Sequence, residues 1–74
     1  MTTAFLSFTI EREGNTIQVY ANDAGIDKLV EALQDLKVKG HLHLWDTSIN
    51  GILSEKDPWG KTAVCDVSMT TGPI

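Results

Sequence analysis

The change of hydrophobic period at Ala21 constrains this chain more than any other feature. Before it, in AFLSFTIER, the apolar Leu6, Phe8 and Ile10 alternate with Ser7, Thr9 and Glu11, and in TIQVYA the apolar Ile17, Val19 and Ala21 alternate with Thr16, Gln18 and Tyr20. A repeat of two places each set on one side of a strand. Between the runs, Gly14-Asn15 suits a two-residue hairpin turn, because both residues tolerate positive φ. That turn sets Ile10 opposite Val19, Phe8 opposite Ala21 and Thr9 opposite Tyr20, so that like faces like.

After Ala21 the repeat becomes helical. Asn22 or Asp23 can cap the first turn, and Ile26, Leu29, Val30, Leu33 and Leu36 form one apolar stripe. Gly40 is suited to end the helix, after Lys37 and Lys39, whose charge complements the carbonyl end. On the other side, Asp27, Glu31 and Asp35 recur at four-residue spacing and form an acidic ridge. HLHLW, residues 41–45, reads as a third strand with Leu42 and Leu44 on one face and His41, His43 and Trp45 on the other. AVCDVSMT, residues 63–70, reads as a fourth, with Ala63, Cys65, Val67 and Met69 sharing a face. Residues 46–62 form a connection long enough to suggest a functional loop.

These elements predict an α+β fold in the order β-β-α-β-β. It is a four-stranded, mainly antiparallel sheet with one helix on one face, forming a single small domain over residues 1–74. One helix covers one face of such a sheet. The other, carrying Phe5, Ser7, Thr9, Tyr20, His41, His43, Trp45 and Asp66, is expected to stay open and to serve as a contact surface.

Charge and composition narrow the partner. Hydrophobic residues at 42% and charged residues at 22% are values for a globular chain. Ten acidic against six scattered basic residues give a net charge of -4, which disfavours phosphate backbones and favours a basic protein. Nucleic acid and membrane are therefore not expected partners. No apolar run approaches the roughly 20 residues of a membrane span. The start, MTTAFLSFTIERE, reads as a strand and not as a secretion signal, so a cytoplasmic location is expected.

Chemical motifs are few. His41 and His43 project to one side of a strand and could share an ion, but a site needs three or four ligands and only Asp66 and Asp46 lie near. No metal or other cofactor is expected, and the pair reads as half-exposed histidines at a contact surface. Gly60-Lys61-Thr62 resembles the end of a phosphate-binding loop, but Glu55 stands where that loop needs glycine and a strand pattern follows instead of a helix. Cys65 alternates with apolar residues and is expected in the core, inert as a nucleophile. With no cleft of ligand size expected either, the chain reads as a non-enzyme. Trp59, in Pro58-Trp59-Gly60, either caps the core or serves as an anchor.

The succession GNTIQVYANDAGIDKLVEAL, GHLHLW and NGILSEKDPWG resembles the immunity protein 32 family of bacterial polymorphic toxin systems, over residues 5–70. That resemblance implies a small protein that neutralises a cognate toxin by direct binding, without chemistry. The expected partner-binding residues are Tyr20, Asp27, Glu31, His41, His43, Trp45, Asp46, Glu55, Asp57 and Trp59, and the expected partner is a basic protein toxin. The alternative is a self-associating module that forms a homodimer through the open sheet face.

Overall fold

A computed structural model describes residues 3–11 and 13–72. The elements follow the order β1 (Leu6–Glu11), β2 (Thr16–Ala21), α1 (Asp23–Lys39), β3 (His41–Trp45) and β4 (Asp66–Thr70), with a 3-10 turn at Thr47–Ile49 after β3.

The strands do not join into one four-stranded sheet. They form two separate two-stranded sheets, β1–β2 and β3–β4, both antiparallel. The connection between β3 and β4 prevents their union. Its Ser54 N–H donates to the Leu6 carbonyl at 2.7 Å and its Val64 N–H to the Phe8 carbonyl at 2.8 Å, so it occupies the free edge of β1. One residue earlier, Leu53 N–H donates to the Trp45 carbonyl at 3.0 Å, and Leu53 bridges Asp46 in parallel. Isolated bonds of this kind satisfy edge groups without building a ladder, and they leave a wedge where a shared sheet would need adjacent strands.

Leu53 is that wedge. At 0% exposure it is buried as deeply as any side chain described, and it clusters with Leu6, Ala32 and Leu44. Phe8, Ala21, Leu29, Leu42, Val67 and Met69 pack around this cluster. A core of this size is what a short chain can build, and one leucine is a large part of it.

The first hairpin keeps the expected faces in a different register. Phe8 lies opposite Val19, Thr9 opposite Gln18 and Ile10 opposite Ile17. The strands end at Glu11 and begin again at Thr16, so the connection is longer than Gly14-Asn15 alone; Glu13 and Gly14 both take positive φ, at 55° and 89°, and Gly14 N–H donates to Glu11 O at 3.2 Å. The shift is two residues, which returns every side chain to its original side, so alternation fits both registers.

Asn22 caps α1. Its side-chain oxygen accepts from Gly25 N–H at 2.8 Å and from Phe5 N–H at 2.9 Å, tying the lead-in to β1 to the first helical turn. Gly40 closes the other end in the left-handed region, donating to the Leu36 carbonyl at 2.8 Å. The buried line of α1 is Gly25, Ala32 and Leu36, with Leu29 partly covered, whereas Ile26, Val30 and Leu33 are exposed. Close approach favours this line: a Cβ on Gly25 would collide with the Phe5 carbonyl. Ile10, Ile17 and Val19, near the tip of the first hairpin, are exposed as well.

The face expected to be open is only half open. On β1, Ser7 and Thr9 are buried, and Ser7 Oγ has no hydrogen-bond partner among the described residues. On β3, His41, His43 and Trp45 remain exposed. Cys65 also departs from expectation. β4 begins at Asp66, and Cys65 lies exposed in the bend before it, where its carbonyl accepts from Asp46 N–H at 3.1 Å.

Candidate functional site

The second hairpin carries the most organised group of polar and aromatic side chains. Strand alternation sends Leu42 and Leu44 toward the core and α1, and His41, His43 and Trp45 to the opposite side. From β4, Asp66, Ser68 and Thr70 share that side, through the pairs His41–Thr70, His43–Ser68 and Trp45–Asp66.

There the side chains form a ladder. Thr70 Oγ1 lies 2.6 Å from His41 Nδ1, His41 Nε2 lies 3.1 Å from His43 Nε2, and His43 Nδ1 lies 2.8 Å from Asp66 Oδ1. The Trp45 ring stacks on His43 at 4.8 Å and 10°, while the two imidazoles meet edge to face at 4.9 Å and 83°. One proton arrangement satisfies every atom. The Thr70 hydroxyl donates to His41 Nδ1, His41 Nε2–H donates to His43 Nε2, and His43 Nδ1–H donates to the Asp66 carboxylate. These contacts fix three ring orientations on a surface open to solvent. Among the described residues, no group of three or more His, Cys, Asp or Glu side chains is placed to hold a metal ion.

Tyr20 and Trp59 form a second aromatic contact, with centroids 5.2 Å apart and planes at 76°. The Trp59 ring therefore folds back on β2, yet it is still 71% exposed. Tyr20 Oη donates to Glu11 Oε1 at 3.3 Å. Its phenol is held above the usual range, first by lost hydration, then by the Glu11 carboxylate and by Asp57. Beside it, an open apolar groove of about 500 Å³ is lined by Phe5, Tyr20, Ala21, Asn22 and Pro58. This groove is a shallow surface depression, and its one amide side chain, Asn22, is already spent on the helix cap.

The carboxylates divide by role. Asp46 is buried and caps the 3-10 turn, accepting from the Ser48 backbone N–H and hydroxyl. Asp57 is buried too, and its Oδ1 accepts from Trp59 N–H and Lys61 N–H at 2.9 Å each. Both hold the connection in shape and offer little surface to a partner. Glu55 is exposed and accepts from the Thr47 hydroxyl at 3.0 Å. Asp27 and Glu31 are exposed on α1, with Lys28 Nζ 3.9 Å from Glu31.

The expected binding residues therefore do not form one surface. His41, His43 and Trp45 lie on the face of β3 opposite Leu42 and Leu44, Tyr20 and Trp59 meet at β2 in the other sheet, and Asp27 and Glu31 are exposed on α1. The alternation of HLHLW made the first grouping visible in the sequence. Thr70 escaped notice because its role depends on strand pairing between residues far apart in the chain.

No helix among the described residues is long and apolar enough to cross a membrane. Comparison with protein families, with curated proteins and with solved structures gives no match, so the resemblance to the immunity protein 32 family rests on the residues quoted for it.

Proposed function

We propose that this chain is a non-catalytic binding protein that acts in the cytoplasm and neutralises a basic protein toxin by occupying its surface. The observation that carries this reading is the prearranged strip of β3, where Trp45 is 41% exposed yet already stacked on His43. A fixed aromatic ring docks with little further loss of side-chain freedom, which is how a small surface can bind tightly. Trp59 supplies a second exposed ring, and the net charge of -4 speeds encounter with a basic partner. The acidic ridge of α1 adds long-range attraction.

Trp45→Ala is expected to weaken the complex by about 2 kcal/mol or more, as central aromatic anchors do, while leaving the far-ultraviolet circular dichroism spectrum unchanged. Isothermal titration of wild-type and variant chains against a candidate basic toxin domain that co-purifies with the wild-type chain measures the difference. Equal affinities would remove the strip from the interface.

A second reading is favoured by the exposed Ile26, Val30 and Leu33 of α1 and Ile10, Ile17 and Val19 of the first hairpin. These residues suit a homodimer that covers apolar surface the small core leaves bare. Light scattering that shows a dimer independent of concentration, and lost in Val30→Glu, would establish it.

A further inference from the structure

The histidine ladder has a property that docking does not require. In each ring, Nδ1 is engaged outside the pair, His41 with Thr70 and His43 with Asp66, so Nε2 of each ring is turned to the other. The two Nε2 atoms face each other at 3.1 Å, with one proton between them. Two imidazole nitrogens at that distance share either one proton or one cation.

The distance suits a cation. With metal–nitrogen bonds of about 2.0–2.1 Å, a 3.1 Å separation corresponds to a nitrogen–metal–nitrogen angle of roughly 98°, between square-planar and tetrahedral values. The outer contacts suit one as well. Histidines that bind metals commonly donate the other ring N–H to a carboxylate or another oxygen, which fixes the tautomer and orients the ring. Asp66 and Thr70 are placed to accept those two hydrogens. With an ion in place, His41 changes tautomer: Nε2 gives up its proton to solvent while Nδ1 takes one from solvent, so the ring stays neutral and Thr70 accepts from His41 Nδ1–H instead of donating to it. Every other polar contact of the ladder survives.

We propose that His41 Nε2 and His43 Nε2 form a two-imidazole site for a divalent late-transition ion, Cu²⁺ or Zn²⁺, oriented by Thr70 and Asp66, with its remaining positions open to water. Ligand counting from the sequence argued against a metal because it sought three or four protein ligands. A bidentate site with two positioning residues needs only this pair. The site stands apart from the docking reading, since the isolated chain is sufficient to load it.

Trp45 provides the readout, because its ring stacks on His43 and bound Cu²⁺ quenches a neighbouring indole. Cu²⁺ is titrated into tag-free protein carrying Cys65→Ser and Trp59→Phe, which removes the exposed thiol and the other indole. Saturable quenching at one ion per chain is expected, reversed by excess Zn²⁺. His41→Ala and His43→Ala should each weaken binding at least ~10-fold, and Asp66→Asn about 10-fold through lost ring orientation. Circular dichroism checks that each variant remains folded. Quenching that fails to saturate, or binding retained in the double alanine variant, would mean that the rings share only a proton and would overturn the site. Because no partner protein is involved, this failure is distinguishable from failure of the docking experiment.

Discussion

The two hairpins differ in how they close, and the difference explains most of the molecule. β1 and β2 meet across a short turn, and the alternation within each strand sets which faces pair. β3 and β4 are joined through residues 46–65, and that connection returns to the first hairpin before it reaches β4. The short turn merely reverses the chain. The long connection supplies Leu53 to the core, lines the edge of β1 and fixes Trp59 against Tyr20. A segment that reads as loop by length and polarity is here the structural centre, and the strand beside it, β3, is left to display the exposed rings.

The contrast can be broken most severely at Leu53. Leu53→Ala should cost about 3–4 kcal/mol, by lost burial and the cavity left behind. Against the ~4–11 kcal/mol that a chain of this length commands, such a loss removes from about a quarter to nearly all of the stability. Leu33→Ala, of similar chemistry on the exposed shoulder of α1, should cost well under half as much. Urea unfolding of both variants makes the comparison, and equal losses would contradict the central place of the connection.

A smaller effect is expected at Gly51. A Cβ there would strike the carbonyl of Trp45, a backbone group that cannot swing aside. Gly51→Ala should cost about 2–3 kcal/mol and disturb the neighbouring indole. Gly14→Ala, in the short turn, meets no atom within 4 Å and strains only its positive φ, so its cost should be nearer 1 kcal/mol. Thermal unfolding of the two variants ranks the two connections directly.

The smallest effect concerns pH. The phenol of Tyr20 is raised above its ordinary value of 10.0 by lost hydration, then by Glu11 and Asp57. A raised value contributes stability that is complete below pH 10 and is lost as pH rises through the folded-state value. Unfolding temperature should therefore fall in alkaline solution above pH 10, and less so in Tyr20→Phe. The chain has one tyrosine, so the phenolate absorbance of the folded protein reports the shift without interference. Asp57→Asn should lower that midpoint, provided the connection stays folded.

Legibility followed sequence separation. β3 could be read to the residue from HLHLW, and the end of α1 from Gly40, because each depends on neighbours within one turn or one strand. The register of the first hairpin was ambiguous because sliding by two preserves alternation, and the deciding feature was Glu13 in a left-handed conformation uncommon for its type. The buried line of α1 was displaced because Gly25 and Ala32 carry little hydrophobic signal and act by their smallness. Leu53 sits in a polar stretch, with no periodic partner to mark it. The β3 face was legible as a set of residues, but the ladder was not, since it depends on side-chain rotations and on Thr70 and Asp66 arriving from the far end of the chain.

The position of Leu53 also decides where this protein can be cut or extended. Surface connections are ordinarily the safest places for a reporter graft, a protease site or a circular permutation. Here the longest one is the least tolerant, because opening it near residue 53 would uncouple the two hairpins. The turn at residues 13–15, the least conspicuous segment, is the position at which foreign sequence should be accommodated.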